Sequence, residues 1–183
     1  FIKVSVYIPL MELFAKGKRS FIYLFTIDGK KIAMKVDNGR VKNTKKEVNW
    51  LQKLNKKKIG PKLLFYGKDF FCYDFVEGKP IKELKRKNKK VFVQVLKQCR
   101  VMDKMKVNKL EMHKPLKHVI INKGKVTMID FERCYETDKP KNVSQFCSFL
   151  VKYFKYDKEL LKLANKYKDS YKEADFKKII NFL

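Results

Sequence analysis

Two charged residues stand in runs that would hold them on strands beside a cleft. Ile32-Ala33-Met34-Lys35 places a lysine after an alanine and a methionine suited to burial. Val126-Thr127-Met128-Ile129-Asp130-Phe131-Glu132 delivers a single carboxylate, Asp130, to the end of an apolar run with an aromatic behind it. A lysine in a cleft can neutralise nucleotide phosphates, provided that a carboxylate holds its ammonium in place. Glu47, in the next segment, is the candidate. Plainer roles exist for both: Lys35 is one lysine among many, and Thr44-Lys45-Lys46-Glu47 has the spacing of a helix capping box. Gly17-Lys18-Arg19-Ser20-Phe21-Ile22-Tyr23 adds a glycine that lets backbone amides approach phosphate oxygens, and a serine hydroxyl as a further donor. A plain hairpin loop would also explain it.

The elements that must position these residues follow from the apolar patterning. Residues 4–14, 21–27 and 32–36 read as strands, with Asp28-Gly29 as a hairpin turn between the last two. Residues 47–54 carry Val48, Leu51 and Leu54 at helical spacing, and Gly60-Pro61 ends that segment. Residues 63–66 and 70–75 are two more strands. After Gly78-Lys79-Pro80 the pattern turns helical over 91–105, with Val91, Val95, Cys99 and Met102 on one face. Two short strands, 119–121 and 126–129, flank Lys123-Gly124, and residues from Val143 onward read as helix.

The 183 residues, 45% hydrophobic and 14% aromatic, suffice for one core split at most into two small lobes. The apolar runs are too short to span a membrane. The opening residues read as strand, so no secretory leader is expected. Cys72, Cys99, Cys134 and Cys147 lack metal-ligand spacing and read as reduced thiols of a cytoplasmic protein. The net charge of +26 points to a polyanionic partner such as RNA or nucleotide phosphates, or to a general lysine bias. Only five of the 45 basic residues are arginine, the side chain best suited to bidentate phosphate recognition.

Together the motifs resemble those of a small, archaeal-type RIO-related kinase, an atypical serine/threonine kinase of the protein-kinase-like superfamily. The Gly17–Tyr23 loop resembles the family's G-K-E-[SA]-x-V-Y phosphate loop, and Ile32-Ala33-Met34-Lys35 resembles V-A-I-K. Tyr73-Asp74-Phe75-Val76 resembles the M-E-F-I hinge, and Ile129-Asp130-Phe131-Glu132 resembles I-D-F-G. The resemblance covers roughly residues 4 to 155. It implies an α+β, two-lobed fold: an antiparallel N-lobe sheet plus one helix over 1–73, a hinge at 74–78, and a short, mostly helical C-lobe over 79–183.

The same resemblance implies a nucleotide between the lobes, held by Gly17, Lys18, Ser20, Ala33 and Lys35 and by the hinge backbone at Asp74 and Val76. Glu47 would orient Lys35, and Asp130 would carry a divalent metal, magnesium or manganese. Two departures from the family pattern stand out. No H-x-D-x-x-x-x-N string exists; Leu110-Glu111-Met112-His113-Lys114-Pro115-Leu116-Lys117-His118-Val119 occupies its place. His118 then falls where the family has a metal-binding asparagine. Glu111 is the preferred base equivalent, although it lies seven residues before His118 where the family spacing is five; His113 takes the position if no insertion is allowed. Glu132 replaces the glycine after Asp130-Phe131, which predicts a fixed loop or a carboxylate paired with Arg133 or a nearby lysine.

The expected activity is ATP-dependent phosphoryl transfer to a protein serine or threonine, its own included, or ATP hydrolysis used as a switch. A nucleotide-binding pseudokinase scaffold and a basic RNA- or ribosome-associated module without catalysis are the alternatives.

Overall fold

The computed structural model describes residues 10–39 and 44–183, so most of the predicted strand at 4–14 lies outside the described residues. The first part is a five-stranded antiparallel sheet in the order β1-β2-β3-β5-β4, formed by β1 (Glu12–Lys16), β2 (Ser20–Ile27), β3 (Lys30–Asp37), β4 (Leu63–Tyr66) and β5 (Phe70–Asp74). Asp28 and Gly29 both adopt positive φ, 49° and 73°, as the two-residue turn joining β2 to β3 requires. Helix α1 (Thr44–Asn55) lies against this sheet and buries Val48, Leu51 and Leu54.

The second part begins with β6 (Lys79–Pro80) and α2 (Lys89–Lys104), whose N-terminus is capped by Asn88 accepting from the Val91 amide. Then come β7 (Val107–Lys109), a short 3-10 turn at Leu110–His113, β8 (Val119–Asn122), β9 (Lys125–Met128) and β10 (Cys134–Glu136). Helices α3 (Asn142–Phe154), α4 (Glu159–Ser170) and α5 (Glu173–Phe182) close the chain. Strands β6, β8 and β9 form one small sheet, and β7 pairs with β10. The sequence pattern leaves β6, β7 and β10 unmarked because each is only two or three residues long, too short for alternation to register.

This is the α+β, two-lobed protein-kinase-like fold. One continuous core runs from Val48, Leu51 and Leu54 of α1 through Met128 and Phe131 to Phe92, Leu96, Phe146 and Leu150 of the helical lobe. The lobes are therefore welded through α1. Gly60, at φ 83°, lies so close to Phe131 that a Cβ there would come within 2.8 Å of the ring. A separate, smaller cluster of Phe25, Ile32 and Cys72 forms within the sheet. All four cysteines are free and buried, and among the described residues no helix is long and apolar enough to cross a membrane.

A buried polar knot fixes the start of the segment that follows α2. Asp103, at the end of α2, accepts from the Asn142 backbone and side-chain amides at 3.1 and 2.7 Å and from the Tyr167 hydroxyl at 3.0 Å. Asn142 in turn donates to the Val107 carbonyl at 2.6 Å and accepts from the Lys109 amide at 2.8 Å. A carboxylate with several buried donors leaves each of them unsatisfied when it is removed. Asp103→Ala should lower the unfolding free energy by about 3–5 kcal/mol, read from urea denaturation. A loss within the scatter of ordinary surface substitutions would contradict this role.

Candidate active site

Strand β3 and helix α1 bring Lys35 and Glu47 together. Lys35 Nζ donates to Glu47 Oε2 at 2.6 Å, and both side chains are largely buried, at 11% and 4% exposure. The second oxygen of Glu47 accepts from the Phe131 amide at 3.0 Å. Both carboxylate oxygens are thus engaged across the fold, and the capping-box role is excluded.

Strand β9 carries the chain to Asp130, which sits at φ 63°, a backbone conformation that L-residues seldom adopt. Asp130 Oδ1 lies 3.6 Å from Lys35 Nζ, and Glu132 Oε2 lies at the same distance. One ammonium therefore faces three carboxylates. Burial opposes its charge, but Glu47, then Asp130 and Glu132, more than offset that cost and raise the Lys35 pKa well above the ordinary lysine range. For Asp130 burial likewise opposes ionisation. Lys35 and then Lys109 outweigh it, and the carboxyl is held below its ordinary value.

Around these charges lies a cleft of about 790 Å³. Gly17, Lys18, Arg19 and Ser20 line its upper side, where the Gly17 amide donates to the Ser20 carbonyl at 2.8 Å and closes the turn. Glu111, His118, Asp130, Glu132 and Arg133 line it from below. His118 Nε2 stands 3.5 Å from Asp130 Oδ2. Burial, followed by the charge of Lys109, lowers the imidazole pKa, so His118 is neutral and able to act as a ligand.

Of the two pairings expected for Glu132, the lysine pairing is present and the Arg133 pairing is not. The partners of Glu132 are Arg19, at 2.8 Å, and Lys35. Arg133 reaches back instead to Glu111 Oε1 at 3.4 Å. Glu132 thus ties the phosphate-loop candidate to the segment after Asp130.

The structure brings Gly17, Lys18, Ser20, Lys35, Glu47, Glu111, His118 and Asp130 to one cleft. It does not bring Ala33, Asp74 or Val76 to that cleft's lining. Ala33 shares a face of β3 with Lys35 but is completely buried between its neighbours in the sheet. Asp74 and Val76 line a second cavity of about 710 Å³, which shares Pro61 and Ile120 with the cleft. The Asp74 amide donates to the Lys62 carbonyl at 3.0 Å, and its carboxylate pairs with Lys30 at 2.8 Å. His113 also lies outside the cleft lining; its ring is exposed, with Nδ1 3.1 Å from the Leu110 carbonyl.

Lys109 is the site residue that the sequence hides. It is completely buried, its ammonium is hydrogen-bonded to the Asp130 carbonyl and 3.4 Å from Glu111 Oε2, and it lies 5.1 Å from the centre of the Phe131 ring. Its one local signal is its place two residues before Glu111, where the H-x-D-x-x-x-x-N string has its histidine; its burial arises from β7 pairing with β10 and from Asn142.

Glu47, Asp130 and Glu132 each offer an oxygen within 4.8 Å of the others, and Asp130 Oδ1 is buried without a hydrogen bond. Hard carboxylate oxygens of this kind suit magnesium or manganese, and a neutral imidazole beside them suits manganese.

No protein-family model and no curated protein matches this chain. Solved structures do. The Rio2 kinase of Chaetomium thermophilum, in a complex with ADP, Mg²⁺ and phosphoaspartate, superposes with a TM-score of 0.66 at 13% identity, covering 97% of this chain and 70% of that one. A second structure of the same kinase gives a TM-score of 0.63 at 11% identity, covering 92% and 70%. The chain has a RIO-like protein-kinase fold.

Removing the central cation gives a signed test. Lys35→Met leaves three carboxylates facing one another, so at least one takes up a proton on folding and has a folded pKa above its unfolded value. Stability from such a group is present at low pH and lost as pH rises through the raised value. Relative to wild type, the variant should therefore become more stable between about pH 7 and about pH 5. The wild-type Asp130 contribution is lost only as pH falls through its lowered folded value. A variant whose urea midpoint follows the wild type over this interval would contradict the triple-carboxylate arrangement.

Proposed function

We propose that this protein transfers the γ-phosphoryl group of ATP to a serine or threonine hydroxyl of a protein. The observation that carries the reading is one cleft in which Lys35 is held by Glu47 beside Asp130, with Glu111 in the same lining. The Gly17–Ser20 turn and Lys35 would bind the phosphates, through amides and one fixed ammonium. Asp130, with His118 beside it, would hold a divalent ion, which when bound supplies charge neutralisation for the transferring phosphoryl group. Glu111 would orient the acceptor hydroxyl and take its proton as the acceptor oxygen bonds to phosphorus and the bridge to ADP breaks. Most of the rate gain comes from positioning and charge neutralisation. With water as acceptor the same cleft would hydrolyse ATP. A precedent is the fold neighbour's complex with ADP, Mg²⁺ and phosphoaspartate.

A nucleotide-binding scaffold without turnover is the second reading. It draws on Glu111 being engaged by both Lys109 and Arg133, and on histidine at position 118.

Asp130→Asn should abolish metal-dependent release of phosphate or labelling of substrate from γ-labelled ATP, while the protein stays folded and still binds nucleotide through Lys35 and the loop amides. Undiminished turnover in folded Asp130→Asn would sink this mechanism. Glu111→Gln should slow transfer by roughly 10²–10⁴-fold, with ATP affinity nearly unchanged, and His113→Ala should stay close to wild type. Inactive His113→Ala beside active Glu111→Gln would assign the base to His113. Nucleotide binding with no turnover in the wild type would establish the scaffold reading.

A further inference from the structure

The Asp130 carbonyl and the Phe131 amide belong to the same peptide unit, and that unit is held from both ends. Its N–H is bound by Glu47 from the upper lobe, and its oxygen is bound by Lys109 from the lower lobe. Glu47 also holds Lys35, and Lys109 also faces Glu111. A continuous series of contacts therefore runs from the phosphate-site lysine to the base-equivalent carboxylate: Lys35, Glu47, the 130–131 peptide, Lys109, Glu111.

Resting on the phosphoryl-transfer reading, we propose that Lys109 is a positioning residue that locks this peptide and sets Glu111 and Asp130 in register with one another. Three features support the assignment. Lys109 is completely buried, and the Asp130 carbonyl and Glu111 carboxylate are the acceptors its side chain meets there. Asp130 is in the left-handed region at φ 63°, where an L-residue needs its surroundings to keep it, and Lys109 holds the carbonyl that this conformation presents. Phe131, wholly buried beneath Gly60 and 5.1 Å from the lysine ammonium, leaves the peptide no room to turn over. Where a glycine after Asp130-Phe131 would permit such a reversal, this chain has Glu132, itself tied to Arg19. Lys109 thus stabilises one assembled arrangement of the site rather than touching the reacting atoms.

Lys109→Met keeps the apolar stem against Phe131 and removes the ammonium. Misplacing a catalytic group by about 1 Å costs on the order of 10²-fold in rate. The variant should therefore lose about 100-fold in kcat while KM for ATP stays within about twofold. In hydrogen exchange of the full chain without ligands, residues 110–113 and 130–133 should lose protection together, and the α3–α5 helices should not. Lys109→Gln is measured by the same criteria if Lys109→Met does not fold. Unchanged exchange in those two segments would overturn the proposal, as would a kcat within about threefold of wild type or a fall confined to KM. If the wild type shows no turnover, the phosphoryl-transfer reading fails, and the exchange data still decide whether Lys109 couples the two segments.

Discussion

The site depends on one buried ammonium. Lys35 is nearly removed from solvent, and a lysine in that position stays charged only if anions surround it closely. Glu47, Asp130 and Glu132 do so from three separate segments: helix α1, the end of β9 and the turn after it. Each of those carboxylates would in turn be destabilised by burial without the lysine. The cluster is therefore cooperative, and it fixes α1 against the sheet and the 130–132 segment against both.

The consequences reach through the fold. Because Glu47 spends its second oxygen on the Phe131 amide, the position of α1 and the backbone conformation at Asp130 are coupled. Because Phe131 fills the space under Gly60 and Leu51, the same helix is also anchored by apolar packing. On the other side, the knot of Asp103, Asn142 and Tyr167 holds β7, and β7 delivers Lys109 to the carbonyl of Asp130. Polar contacts at both ends and an aromatic plug in the middle hold the cleft's segments to one another. Such pre-organisation is what the proposed phosphoryl transfer by positioning would require.

Much of this was legible in the residues. The I-A-M-K strand, the helix carboxylate and the lone aspartate after an apolar strand are local patterns, and each side chain falls where its pattern places it. The turn at Asp28-Gly29 is equally local. What was not legible depends on contacts between distant segments. Arg19 rather than Arg133 pairs with Glu132 because the first loop folds over the cleft, a geometry that no spacing encodes. Lys109 is one lysine in a chain crowded with them; its place two residues before Glu111 is its local mark, and its burial comes from its pairing environment. Asp74 and Val76 match a hinge motif by type, and they line a cavity that adjoins the cleft through Pro61 and Ile120, a placement that no spacing encodes. Ala33 likewise matches by type and is sealed inside the sheet.

The most direct test is a crystal structure with a non-hydrolysable ATP analogue and manganese, with the ion located by its anomalous scattering. The account predicts manganese on the Asp130 carboxylate, phosphates between Lys35 and the Gly17–Ser20 turn, and the terminal phosphate facing Glu111. An analogue bound with its phosphates away from Lys35, or manganese held without Asp130, would contradict it.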